Sequence, residues 1–256
     1  MLRVTKCTFL AALAVGAALA VNSGALVAQT TATLNPVADA TLSAANAANN
    51  YGGAGAASVA AAGLSKGEFQ SLLRFDTAAA KASFDAIHGP GNWTVQSITL
   101  KLVSANPNNQ LTFFNPSAAG SFAASWMQND VWTEGTGVPL TPTTDGVVYN
   151  NLAALISGSD QGLGGPFSFN GATSGTTTYT LTLGSGILGD VAAGTPISLR
   201  LSAADTNVSY LFNTRTKVGS EPVLSITAVP EPGTLMLLLA AAGAAVALWR
   251  RRRLEA

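Results

Sequence analysis

Strict alternation of apolar and polar side chains is what most narrows the folds open to the body of this chain. Ile98, Leu100 and Leu102 point one way while Thr99 and Lys101 point the other. The same two-residue rhythm runs through Tyr179 to Leu183, Ile197 to Ser202, Val208 to Phe212 and Val223 to Thr227, with shorter stretches at Leu72 to Phe75 and Leu111 to Phe114. Successive side chains of a strand fall on opposite faces, so this period describes antiparallel sheets with one side on a core and one side polar. Asn106 to Asn109, Gly89 to Asn92, Gly162 to Pro166 and Gly184 to Gly186 are turn or loop clusters between the strands. Helical pattern is sparse: Thr77 to Ile87 predicts one short helix over a sheet end, and Asn151 to Ile156 a further turn. No linker or repeat divides the stretch, so residues 29–228 read as one all-β domain, an antiparallel β-sandwich.

Only 10% of the residues are charged, against about 25% in an average globular protein. Between Gln29 and Val229 there are seven basic and eleven acidic residues. A weakly acidic body without a basic cluster excludes nucleic acid as a partner. Cys7 is the sole cysteine and His88 the sole histidine. A disulfide framework, thiol chemistry and a Cys/His zinc site are therefore excluded for the body.

The two ends read as addresses. Residues 1–28 have the layout of a secretory signal peptide: Arg3 and Lys6, then an uncharged run from Cys7 to Val21, then small residues suited to cleavage near Ala20 or before Gln29. At the other end Val229-Pro230-Glu231-Pro232 leads into Gly233 to Trp249, seventeen residues without a charge, followed by Arg250-Arg251-Arg252-Arg253. A helix over 233–249 rises roughly 25 Å at ~1.5 Å per residue, the short end of a membrane span. Trp249 suits the interface, and the arginines hold that end in the cytoplasm, leaving the body outside the inner membrane.

This tail, residues 229–256, resembles the PEP-CTERM sorting signal of Gram-negative bacteria. The resemblance implies export by the secretion machinery and a precursor anchored in the inner membrane. It also implies recognition of Pro230-Glu231-Pro232 by an exosortase, a membrane-embedded cysteine transpeptidase, with delivery to the cell surface or extracellular matrix. The two prolines favour an extended, unpaired backbone that a protease can engage.

A second likeness runs through the body. Asp39-Ala40-Thr41-Leu42, Asn49-Asn50-Tyr51-Gly52-Gly53, Leu72-Leu73-Arg74-Phe75-Asp76, Trp132-Thr133-Glu134-Gly135-Thr136-Gly137 and Tyr210 to Arg215 follow in an order that resembles the DNRLRE-type domain. That resemblance implies a jelly roll similar to carbohydrate-binding modules. Near Asn213 and Arg215 the chain lacks the serine and acidic residue usual there, which weakens any transfer of a sugar site.

The candidate residues divide by chemistry. Trp132 beside Glu134, with Trp126 and Tyr51, forms the candidate carbohydrate set, aromatic faces for stacking and a carboxylate for a hydroxyl; core packing is the competing expectation for both tryptophans. Tyr51-Gly52-Gly53-Ala54-Gly55 lacks the lysine and strand–loop–helix setting of a phosphate loop and reads as a turn with glycines at φ > 0. Arg74 and Asp76 at i and i+2 suggest an ion pair or a loop clamp. Asp130 and Glu134 are the acid pair that glycoside hydrolysis would need, yet a second acidic cluster is missing and no catalytic residue is assigned. His88 reads as a solvated loop residue. Asp39, Asp76, Asp130 and Asp205 are the oxygen donors from which a structural calcium site would be drawn; no other cofactor is expected. These readings converge on a non-catalytic exported protein, adhesive or structural, with exopolysaccharide as a partner. A defined carbohydrate-binding module is the alternative.

Overall fold

The computed structural model describes residues 29–105, 114, 120–169 and 175–233, together with Gly243, Ala244, Val246, Leu248 and Arg251. The expected signal at 1–28, most of the expected membrane helix at 233–249, and the strand expected at Leu111 to Phe114 apart from Phe114 itself lie outside the described residues. Among the described residues no helix is long and apolar enough to cross a membrane.

In chain order the elements are β1 (Thr30–Leu34), β2 (Pro36–Ser43), β3 (Ala56–Ala60), β4 (Phe69–Phe75), α1 (Ala78–His88), β5 (Trp93–Val103), β6 (Gly120–Met127), α2 (Tyr149–Leu155), β7 (Gln161–Gly162), β8 (Phe167–Phe169), β9 (Thr176–Leu181), α3 (Ser185–Ala193), β10 (Ile197–Ala203), β11 (Ser209–Asn213) and β12 (Val223–Pro230). They form two antiparallel sheets. The first has the order β1-β12-β5-β9, with Ile98 opposite both Ile226 and Leu181 and Leu100 opposite Tyr179. The alternation works here as expected. Ile98, Leu100, Leu102, Tyr179, Leu181, Leu224 and Ile226 are buried, while Thr178 and Thr180 face solvent.

The second sheet runs β11-β3-β4-β10-β6-β7, with β2 also paired to β4 and β8 to β6. Its inner face gives Leu73, Phe75, Phe122, Ala124, Ile197, Leu199 and Leu201 to the main core. Phe122 is the centre of that core, with the rings of Phe167, Tyr179, Tyr210 and Phe212 at centroid separations of 5.4, 5.0, 5.4 and 5.7 Å. Edge-to-face and tilted pairs of this kind add roughly 0.5–1.5 kcal/mol each beyond area burial. A bond from Ala105 N to Leu211 O of 2.8 Å and a bridge between Ser104 and Phe212 join the end of β5 to β11, closing the two sheets along one edge.

The outer face of the second sheet departs from the one-polar-face expectation. Ala38, Ala40, Leu42, Leu72 and Met127 form a second, smaller core beneath Trp132, Val147 and Leu152. The segment between β6 and α2 folds back over this face, so both sides of the sheet are covered.

Of the helices α1, α2 and α3 among the described residues, two sit where the pattern predicts. In α1, Ala80 and Phe84, four residues apart, are buried. Phe84 meets Trp93 at 5.1 Å, and the indole N–H of Trp93 donates to Asp85 at 2.8 Å. Asp76 Oδ1 accepts from Ala78 N at 3.0 Å, satisfying one of the free amides at the start of the helix. The chain then leaves through Gly89 at φ +89°. His88 is the last residue of α1 rather than a loop residue; its Nε2 is buried and without a hydrogen-bond partner. The third helix, α3, begins inside the Gly184 to Gly186 cluster that the sequence marks as a turn. A Cβ at Gly186 would overlap the ring of Trp126, so the glycine serves close packing of helix on indole.

Candidate functional site

The five motif segments noted in the body, far apart in the chain, meet at one end of the second sheet. Asn50 is their hub. It is fully buried, and its side-chain amide donates to Glu134 O at 2.7 Å and Val147 O at 2.8 Å. Its Oδ1 accepts from Gly52 N and Gly137 N, both at 3.1 Å. One side chain thus uses both donors and both lone pairs to hold the 134–147 loop against the 50–53 turn. The glycines of both motifs follow from that clasp. A Cβ on Gly52 would strike the Glu134 carbonyl, and one on Gly135, Gly137 or Gly146 would strike Asn50 itself. Gly52 and Gly53 are not in the left-handed region expected for them; the positive φ values in these segments belong to Gly55 (+70°) and Gly135 (+78°). Close backbone approach, rather than turn geometry, is what requires glycine at 52 and 53.

Asp39 joins the cluster from β2. Its carboxylate accepts from the backbone N of Arg215 at 2.8 Å. Burial pushes its pKa up to about 6, because ionisation in a site with 1% exposure is costly. The Arg215 side chain turns to Glu134, its Nε 3.0 and 2.9 Å from the two carboxylate oxygens. The arginine side of this pair is exposed to solvent, which limits what the pair adds to stability.

Arg74 acts as a loop clamp. Its Nη1 donates to the carbonyls of Asp130 and Trp132 at 2.9 and 2.8 Å, and its guanidinium lies 4.8 Å from the centre of the Trp132 ring. The ion pairs present among the described residues join Lys81 to Asp85 and Arg215 to Glu134, not Arg74 to Asp76. Trp132 donates its indole N–H to Ser198 Oγ at 3.0 Å, and the nearby Asp130 carboxylate has a buried Oδ1 without a hydrogen-bond partner. Burial raises the pKa of Asp130. Beside this chain of contacts an open cavity of about 580 Å³ is lined by Arg74, Asp130, Trp132, Asp145 and Asn151.

The candidate carbohydrate set is therefore split. Trp132 and Trp126 are 6% and 7% exposed. Trp126 donates to Asp190 Oδ2 at 2.6 Å under α3. Neither indole presents a face on which a sugar ring could stack, because each is part of a core. Glu134 is held by Arg215. Tyr51, like Glu134, is partly exposed. The acid pair is split as well: Glu134 faces Arg215 while Asp130 faces Arg74, Ser198 and Asp190.

The four aspartates of the candidate calcium set have separate local partners. Asp39 holds Arg215 N, Asp76 the start of α1, and Asp130 lies beside Ser198. Asp205 accepts from Asn207 N and Val208 N at 2.8 Å each and from Ser121 Oγ at 2.7 Å. Among the described residues no three His, Cys, Asp or Glu side chains gather into a set that would hold a metal.

The tail motif begins inside the fold. Val229 and Pro230 end β12 opposite Thr94 and Trp93, and Glu231 N donates to Asn92 O at 2.9 Å. Pro232 is exposed. No curated protein matches the chain. The PEP-CTERM protein-sorting motif matches residues 228–253. The chain thus carries the mark of an exosortase-sorted surface protein, exported and anchored in the membrane before it is processed.

Proposed function

We propose that this chain is a non-catalytic protein of a Gram-negative cell surface or exopolysaccharide matrix, with an adhesive or structural role. Residues 1–28 direct export, a helix at 233–249 stopped by Arg250 to Arg253 holds the precursor in the inner membrane, and exosortase cuts near Pro230-Glu231-Pro232. The match over residues 228–253 carries this reading. The position of the motif supports it: β12 ends at Pro230, so a cut at or beyond Glu231 leaves the sandwich whole. The engagement of Glu134 by Arg215 favours a body without acid–base chemistry from the Asp130 and Glu134 pair.

The sandwich is a jelly roll of the DNRLRE type in this reading. Two observations support it. The order β1-β12-β5-β9 facing β4-β10-β6-β8 is the one that two interleaved Greek keys produce. Contacts also link the DNRLRE-like segments in pairs, 49–53 to 132–137 through Asn50, 39–42 to 215 through Asp39 and 72–76 to 132 through Arg74, as the shared framework of a family would. Mass measurement of the envelope form tests the sorting reading. The expected product ends near the Pro-Glu-Pro motif, and cells lacking exosortase accumulate the full-length precursor. An intact C-terminus on all mature protein would refute it.

A further inference from the structure

The first sheet ends on β9, and the outer side of that strand is open. Opposing residues of β5 and β9 run from Ile98 with Leu181 to Val103 with Thr176, and Ser104 N donates to Gly175 O at 3.0 Å just beyond. Antiparallel neighbours exchange backbone bonds at every second pair. Thr177, Tyr179 and Leu181 therefore use their backbone groups on β5, while Thr176, Thr178 and Thr180 turn theirs outward. Thr182 follows the same rule: its N–H points outward and is taken by Leu163 O at 2.7 Å. Thr176, Thr178 and Thr180 are exposed, and among the described residues no strand pairs with the outer side of β9. At the opposite edge of the sheet α1 packs against β1. Natural sheets blunt an open edge with charge, proline, a bulge or a cover, because its free N–H and C=O groups template another strand. β9 has no charge and no proline, its register is unbroken, and the run from Gln161 to Gly189 carries no charged residue.

We propose that β9 is a self-association edge, pairing antiparallel with β9 of a second copy of this chain about a two-fold axis at Thr178. In that register Thr178 lies opposite Thr178 of the second copy and Thr176 opposite Thr180, and the outward N–H and C=O groups of all three find partners. A two-fold pair needs a strand that complements itself, and an uncharged row of threonines does so. Elsewhere the body repels a copy of itself, with eleven acidic residues against seven basic between Gln29 and Val229, so the charge-free edge is where two copies meet. A strand this short buries less than the roughly 1,200 Å² of a standard interface, so the pair is weak and needs about millimolar protein or the crowding of a surface layer. β12 and β9 are both antiparallel to β5, so the tail leaves at the Leu181 end of β9. The two-fold axis turns the second tail the opposite way. Copies anchored side by side in one bilayer therefore cannot pair through β9, and processing frees them to do so; this step alone rests on the sorting reading.

Sedimentation of the full-length chain in mild detergent, up to about millimolar protein, tests the edge. A monomer–dimer equilibrium is expected. Thr178→Pro removes an outward N–H and leaves the bonds to β5 alone; with two hydrogen bonds lost per dimer it should weaken pairing by about tenfold or more. Thr178→Lys and Thr178→Glu each set like charges opposite one another and should weaken it by about fivefold, and an equal mixture of the two should regain the wild-type dimer. Thermal melts show that each variant keeps the fold. A monomer at every concentration, a wild-type dimer from Thr178→Pro, or a mixture that pairs no better than its components overturns the proposal. Thr178→Cys tests the order of events. Released protein should cross-link through that cysteine and precursor in cells lacking exosortase should not; cross-linked precursor overturns the ordering. Pairing by a chain that is never processed sinks the sorting reading and leaves the edge standing, and a processed chain that stays monomeric does the reverse.

Discussion

Replacing Asn50 by alanine removes the most connected side chain at the motif end of the sandwich. Four backbone groups lose their partner at once: the carbonyls of Glu134 and Val147 and the amides of Gly52 and Gly137. A net hydrogen bond is worth about 0.5–1.5 kcal/mol, and a buried group left unpaired costs about 1–3 kcal/mol. Some relaxation and water entry bring each of the four to roughly 1 kcal/mol, for a total near 4 kcal/mol. In a domain of this size 1 kcal/mol moves the melting temperature by about 2–4 °C, so the expected fall is about 8–16 °C. Circular dichroism melts of the wild type and variant check it. Asn150→Ala, at an exposed position, serves as the control and should shift by less than about 2 °C, as surface substitutions usually do. Asn50→Asp adds a sharper test. It keeps an acceptor toward Gly52 and Gly137 but turns an oxygen toward two carbonyls, so it should be no more stable than the alanine variant at neutral pH. A fall below about 3 °C for alanine, or a well-tolerated aspartate, would refute the role assigned to the amide.

Asp39 gives the body a pH signature. Its pKa of about 6 in the fold lies above the ordinary 3.8, so the folded state holds the proton more tightly than the unfolded one. This contribution destabilises as pH rises from about 4 to 6 and reaches ~3 kcal/mol above that window. Asp39→Asn should flatten the melting temperature across pH 4 to 6 relative to wild type; an unchanged slope would contradict the buried acid. Trp126→Phe should cost about 2 kcal/mol through the lost bond to Asp190, read by urea denaturation. Gly186→Ala should destabilise by overlap with the same ring, and a neutral result in the same denaturation series would place α3 elsewhere. Phe122→Ala should cost about 3–5 kcal/mol, the largest loss of the series, because four aromatic partners lose their common contact.

The strands at Ile98, Tyr179, Ile197 and Ile226 are legible from period alone, since one core-facing side chain in two is a local property of an extended chain. The α1 helix is legible for the same reason: Ala80 and Phe84 are one helical turn apart. The tail announces itself because Pro-Glu-Pro, an apolar run and four arginines are contiguous. What depends on distant chain segments is not written in any window. Gly186 looks like a turn residue until Trp126 packs against it. Core packing is legible for Trp132, but that α3 covers Trp126 is not, and the double-sided covering of the second sheet hides behind the same polar alternation that an exposed face shows. The order of the motif segments along the chain hints at a shared framework, but the joining of two of them by Asn50 arises only when residues some 80 to 100 positions apart come into hydrogen-bonding distance. Sequence alone determined the strands, the short helix and the address of this protein, because those properties need only neighbours; tertiary structure decided which polar and aromatic groups are buried and which remain open, because burial is a property of the whole fold.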